Sequence, residues 1–200
     1  MTAGADGALE PCWRAVLDFW FLPAGHPSYG TFRREWFTKD PAFDDEIRRR
    51  FADEVDMAAT GKLDDLARHA RGALALIILL DQFPRNLFRG TPRAFAADAR
   101  AREIADRAVR AGFDRALLAV QRVFVYLPFE HGESLADQDR CAALFADLPA
   151  ANWRAEAIEA GRRHREIIAR FGRFPHRNEF LGRPSTPEEI AFLREPRSSF

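Results

Sequence analysis

Cysteine is nearly absent from this sequence: only Cys12 and Cys141 occur, and they form no Cys-x-x-Cys pair. That pattern fits free, buried thiols in a reducing compartment rather than a disulfide framework. Net charge is missing too, because 30 basic residues balance 30 acidic ones. Nucleic acid or an anionic membrane as the main partner would call for a basic surface, so neither is expected. Long apolar runs are lacking. The longest, Ala73 to Leu80, falls far short of the ~20 residues that span a bilayer. Met1 to Glu10 has neither the basic start nor the apolar stretch of a signal peptide, so the expected location is the cytoplasm. No glycine-rich phosphate loop, Gly-x-Ser-x-Gly elbow or dinucleotide fingerprint is present, and no cofactor is expected. Lysine is scarce: Lys39 and Lys62 are the only two, and every other basic residue is arginine. A GC-rich genome exchanges the two freely on exposed faces. The sharper alternative is that some arginines make planar, bidentate contacts closed to lysine.

What is present is helical periodicity. A chain of 200 residues, 47% of them hydrophobic, can bury a substantial core without staples. One domain over 1–200 is expected, with its core at about 10–194. No strand-like alternation occurs. Trp13, Val16, Leu17, Trp20 and Phe21 stripe a first helix that Pro23 stops. Phe32 to Phe37 reads as a short turn. Asp40-Pro41 reads as an N-cap and first-turn proline for a second helix striped by Phe43, Ile47, Phe51 and Val55 and ended by Gly61. A third, from about Leu63 to Phe83, is apolar all round and belongs at the centre of the fold. A fourth runs from about Pro92 to Ala111 and a fifth from about Asp114 to Tyr126. Ser134 and Asp137 resemble a capping box that opens a sixth. A seventh spans Ala151 to Phe171, stopped by Gly172, and Thr186, Pro187 and Glu189 open a short last helix to about Leu193. The expectation is an all-α, antiparallel array of about eight helices joined mostly by short loops.

Three loops break the pattern: Asp81-Gln82-Phe83-Pro84-Arg85-Asn86 continuing to Arg89, Tyr126-Leu127-Pro128-Phe129-Glu130-His131-Gly132-Glu133, and Phe171-Gly172-Arg173-Phe174-Pro175-His176-Arg177-Asn178 continuing to Arg183. Each follows a strongly apolar helix, carries a proline read as ending it, and sets charged residues beside aromatic ones. Alternate helices of an up-and-down array point the same way, so the three loops are expected at one edge. Asp81 at a negative helix end calls for a cation, which Arg85, Arg173 or Arg177 can supply.

Such a cluster admits three readings. In the first, the arginines bind a small anionic ligand or a peptide carboxylate, with Arg85, Arg173 and Arg177 taking the charge and Asp81, Glu130 and Glu133 orienting them. In the second, a hydrolase-type enzyme uses His131 or His176 as a general base beside a carboxylate. In the third, the cluster only fastens helices by satisfying their free carbonyls. His164, on an apolar helix face, reads as a hydrogen-bonded core histidine. Glu130, His131 and Glu133 match no specific metal spacing, so no metal is expected. His26 and His69 read as surface residues. Cys12 and Cys141 are placed in helices away from the three loops, which leaves covalent catalysis without support. Trp36 and Phe200 are candidate exposed contacts.

These loops, with Phe19-Trp20-Phe21 and Ser185-Thr186-Pro187-Glu188-Glu189, resemble the bacterial family called domain of unknown function 924. The resemblance runs from about Trp13 to Leu193. It implies a compact all-α fold similar to tetratricopeptide-repeat proteins, with paired antiparallel helices, and carries no established activity. The corresponding positions are Asp81, Gln82, Arg85, Asn86, Arg89, Glu130, His131, Glu133, Arg173, His176, Arg177, Asn178 and Arg183. Gly132 stands where the family usually has serine, which argues against a role for a hydroxyl there.

Overall fold

The computed structural model describes residues 6–199, with side chains from Cys12 onward. Phe200 and the start of the N-terminal segment lie outside the described residues. Every regular element among the described residues is helical: α1 (Asp6–Phe21), α2 (Pro41–Ala59), α3 (Ala70–Ile77), α4 (Phe83–Leu87), α5 (Asp98–Arg110), α6 (Ala119–Glu130), α7 (Leu135–Ala146), α8 (Arg154–Phe171) and α9 (Pro187–Phe192). No helix among them is long and apolar enough to cross a membrane. The chain divides into two compact units. One holds the described residues up to Arg89 together with Arg93–Pro128, and the other holds Gly90–Pro92 and the described residues from Phe129 onward.

In the first unit, α2 starts where its sequence dictates. The Asp40 carboxylate accepts the Ala42 and Phe43 backbone N–H groups at 2.9 and 3.3 Å, and Pro41 follows it. Ile47, Phe51 and Val55 then face the core. Phe83 is fully buried and meets Trp20 edge-on, with ring centroids 5.5 Å apart. It also packs on Phe51 at 5.1 Å. Trp36, expected at the surface, is instead buried, and its indole N–H donates to the Trp20 carbonyl at 2.9 Å. A ring that large is drawn into any available apolar site once its one polar atom has a partner.

The expected third helix differs in three ways. Its first part is a 3-10 turn, Asp64–Arg68. His69 then caps α3, its extended backbone letting Nδ1 accept the Gly72 N–H at 3.1 Å, so His69 is a capping residue rather than a bystander. Pro84 does not end the helix. Ile78–Gln82 widen into a π turn, in which the Phe83 N–H reaches the Ile78 carbonyl five residues back, and α4 continues with Pro84 in its first turn. A proline lacks the N–H for an ordinary helical bond and collides with the carbonyl four residues earlier; the wider turn relieves both problems. Pro128 is likewise carried inside α6, which extends to Glu130.

In the second unit, α7 and α8 pack closely, joined by the short connection an antiparallel pair needs. Ser134 occupies the N-cap position of α7, but its side chain makes no capping bond. Gly172, at φ +70°, ends α8 as expected. Beyond it, Phe174 joins Ile167 and Ile168 in the apolar core of this unit, with Phe171 and Phe192 packed against them. The capping box of α9 is complete, Thr186 accepting from the Glu189 N–H and Glu189 from the Thr186 N–H.

Chemical denaturation checks this account of the first unit. Phe83→Ala is expected to cost about 3–5 kcal/mol by leaving a cavity among aromatic rings. Asp40→Ala is expected to cost about 1 kcal/mol, the value of a lost N-cap. A loss below 1 kcal/mol for Phe83→Ala would contradict its place at the centre of that core.

Candidate functional site

The residues singled out by sequence fall into two sets, one in each unit, and each set has partners of its own. In the first unit, Asp81 is fully buried on the π turn. Gln82 Nε2 donates to Asp81 Oδ2 at 2.6 Å. Arg85 supplies the cation that Asp81 calls for: its NH1 lies 3.3 Å from Asp81 Oδ1 and donates to the Asp81 carbonyl at 2.6 Å. The same guanidinium forks onto Asp98 of α5, at 2.9 and 3.0 Å. Arg89 forks onto Asp44 of α2 through Nε at 2.7 Å and NH2 at 3.0 Å, and Asn86 Nδ2 donates to the same carboxylate at 2.7 Å. Burial pushes the Asp44 carboxyl up, but these hydrogen bonds and the Arg89 and Arg48 charges outweigh it and hold the group below its ordinary range. The set therefore ties α4 to α2 and α5. Asp44 and Asp98 had no motif to mark them, because each looks like an ordinary first-turn acid of its helix.

In the second unit, a chain of polar contacts holds the segment after α8. Glu133 Oε1 accepts the Phe174 N–H at 2.9 Å. Arg183 forks onto Glu133 at 2.6 and 3.0 Å, and its NH2 returns to the Phe174 carbonyl at 3.2 Å. One ion pair thus grips both backbone groups of Phe174. Arg183 Nε also donates to Asn178 Oδ1 at 3.0 Å. Asn178 Nδ2 donates to Ser185 Oγ at 3.0 Å and Glu189 Oε2 at 3.3 Å. Glu189 takes Arg173 bidentately, at 2.7 and 2.8 Å, and Arg173 NH2 also reaches the Pro184 carbonyl at 2.9 Å. Burial raises the Glu133 carboxyl, but Arg183, the Phe174 N–H and the nearby Arg177 charge bring it below its ordinary range. For Glu189, the Arg173 hydrogen bonds dominate over burial and take the carboxyl to about 2.

This frame fixes Phe174 and the 3-10 turn Pro175–Arg177 that follows it. The Phe174 ring is a hub. Arg177 lies over it at 4.5 Å, His164 meets it edge-on at 5.5 Å, and His176 is 5.7 Å away. His131 stands 6.4 Å from His164, and its carbonyl accepts from Arg177 NH1 at 3.1 Å. His131 and His176 are half-buried, whereas His164, Arg177 and Glu130 are buried. The Gln138 side chain, also buried, donates to the Glu130 and Gly132 carbonyls at 2.6 and 2.8 Å and so closes the end of α6.

Glu130 points into this cluster. Its Oε1 is 3.3 Å from His164 Nδ1, which also lies 2.8 Å from the Ala160 carbonyl. Two acceptors on one side of the ring place the proton on Nδ1. Burial lowers the His164 pKa to about 3, with the His131, Arg177 and His176 charges adding to it against the Ala160 bond. At neutral pH the ring is therefore uncharged, and its contact with Glu130 is not an ion pair. Cys141 does not stand apart from the loops as expected: its thiol lies 4.0 Å from Glu130 Oε2. Burial and then the Glu130 charge raise its pKa well above normal, which makes it a poor nucleophile. Gly161, in the middle of α8, makes room for the carboxylate: a Cβ there would sit 3.2 Å from Glu130 Oε2. A mid-helix glycine costs about 1 kcal/mol against alanine, so its presence reflects the approach of Glu130. Glu130 and Glu133 diverge to different partners, and among the described residues no metal-binding group of three His, Cys, Asp or Glu side chains forms.

Helices fastened by arginine–carboxylate forks, with a histidine-lined cluster in the second unit, define an all-α protein. The chain belongs to the family described as bacterial protein of unknown function (DUF924), which matches residues 16–197. It is similar to the solved structure of the protein of unknown function ATU0120 from Agrobacterium tumefaciens, at 41% identity and a TM-score of 0.82, over 93% of this chain and 98% of that one. No curated protein matches it.

Two measurements test this geometry. Gly161→Ala is expected to cost up to about 1 kcal/mol in the parent, but to stabilise by about 0.5–1 kcal/mol in a Glu130→Ala background, where helix propensity acts alone. Additivity of the two changes would refute the contact. The second concerns pH. His164 has a folded pKa of about 3, against about 6.5 unfolded, so the unfolded chain binds the extra proton between those values. Its contribution is complete above pH ~6.5 and is lost on acidification, at about 1.4 kcal/mol per pH unit. The depressed carboxyls of Asp44, Glu133 and Glu189 act at lower pH, below the unfolded carboxyl range of about 4–4.5. His164→Gln should therefore flatten the stability slope between about pH 6.5 and 5, and equal slopes in both proteins would exclude the assignment.

Proposed function

We propose that the second unit binds a small anion, a carboxylate or phosphate group, through Arg177, His131 and His176, over a floor of Glu130 and His164. The observation that carries this reading is the gathering of two imidazoles, His164 and His176, and the Arg177 guanidinium about Phe174, with the half-buried His131 beside His164 and its carbonyl on Arg177. The cluster brings together groups able to donate hydrogen bonds to an oxyanion or to carry positive charge, and the nearby Glu133 carboxylate is bound by Arg183. Arg177 is braced by its ring contact and by the His131 carbonyl, which holds the guanidinium in one plane, as recognition of a planar or tetrahedral oxyanion requires. A peptide presenting its terminal carboxylate satisfies the same chemistry.

The other arginines read differently. Arg85, Arg89, Arg173 and Arg183 each fork onto a carboxylate, and their role is to fasten helices and loops.

Isothermal titration calorimetry with inorganic phosphate and with acetate tests the reading. Arg177→Met is expected to weaken binding at least tenfold, whereas Arg89→Met lowers the melting temperature and leaves binding intact. Absence of binding by the parent protein at millimolar phosphate and acetate overturns the proposal, as does an equal loss from the two variants.

A further inference from the structure

We infer that Glu189 is a positioning residue for this site: one carboxylate on α9 sets the placement of His176 and Arg177 by holding Arg173 and Asn178, which flank their turn. This rests on the reading of the cluster as an anion site. Four N–H donors converge on the two oxygens of Glu189. Arg173 Nε and NH2 lie at 2.7 and 2.8 Å, the Thr186 backbone N–H at 2.8 Å and Asn178 Nδ2 at 3.3 Å. A helix cap alone uses only the Thr186 donor, and a glutamine at this position supplies that acceptor equally well. The Arg173 fork and the burial of the carboxylate go beyond what a cap needs.

The path to the site is short. Asn178 directly follows Arg177, and its backbone N–H closes the turn on the Pro175 carbonyl at 3.0 Å. Its side chain is buried, with Oδ1 taken by Arg183 and Nδ2 shared between Ser185 and Glu189. Arg173 directly precedes Phe174, the ring on which Arg177 and His176 rest. Both ends of the segment that carries the two groups are therefore anchored to the same carboxylate. Loss of its charge leaves Arg173 facing a neutral amide and loosens the turn at both ends.

Two variants separate positioning from capping. Glu189→Gln keeps an acceptor for the Thr186 N–H and removes the charge that holds Arg173. Thr186→Ala breaks the capping box and keeps that charge. The readouts are the NMR titration of the His131 and His176 ring resonances without ligand, and calorimetric titration with inorganic phosphate. Glu189→Gln is expected to move the His176 resonances and titration midpoint and to weaken phosphate binding at least fivefold, while Thr186→Ala leaves both within twofold of the parent. Unchanged His176 signals in Glu189→Gln, or equal effects from the two variants, overturn the inference. If Glu189→Gln does not fold, Arg173→Lys, which keeps the charge and loses the fork, replaces it, and an unshifted His176 in that variant overturns the inference. A parent protein that binds no phosphate sinks the anion reading alone, because the His176 titration still decides whether Glu189 positions the turn.

Discussion

Carboxylates buried between helices tolerate few arrangements, since an ionised group out of water must meet a cation and enough donors to fill its lone pairs. Asp44, Asp81 and Glu189 face that demand here, and Asp98 and Glu133 face it in part. Arginine answers it at each of them, and in four cases the guanidinium presents two nitrogens to one carboxylate. Lysine has no equivalent fork. The near-exclusive use of arginine is thus explained at these positions. It has no such explanation at exposed pairs such as Arg49 with Glu46 or Arg162 with Glu159, which contribute little. Breaking a buried pair by removing one partner costs about 3–5 kcal/mol, because the other charge stays behind.

The second unit uses the same interaction for a different end. Its forks fix the backbone that carries Phe174, His176 and Arg177. Within that frame, burial keeps His164 neutral beside the buried Glu130 carboxyl. The paired arginines and the residues gathered about Phe174 are drawn from the same short motifs, which is why the motifs alone do not sort one from the other.

Much of the architecture was legible in the chain. The Asp40 and Thr186 caps, the glycine stop at 172 and the helical nature of every element follow from local rules, because a cap or a left-handed residue acts over a few positions. Departures occur where tertiary packing overrides a local preference. Pro84 and Pro128 read as helix stops, but the surrounding core holds the backbone helical on both sides, through a π turn at the first. Trp36 reads as exposed by its loop context and is buried by aromatic neighbours far away in sequence. For the site, the residue types and the three loops were visible, but their partners were not. Asp44 lies 45 residues from Arg89, and Glu133 lies 50 from Arg183. Cys141 and Gly161 gain meaning only from the depth to which Glu130 reaches.

By itself, the sequence determined the helices, most of their ends and the places where polar residues interrupt apolar stretches, since each of these depends on interactions within a few residues. Which arginine met which carboxylate, that burial kept His164 neutral, and which loop residues brace the backbone were decided only by the tertiary structure. The physical reason is that charge pairing and desolvation depend on distances between residues far apart in the chain, and folding alone sets those distances.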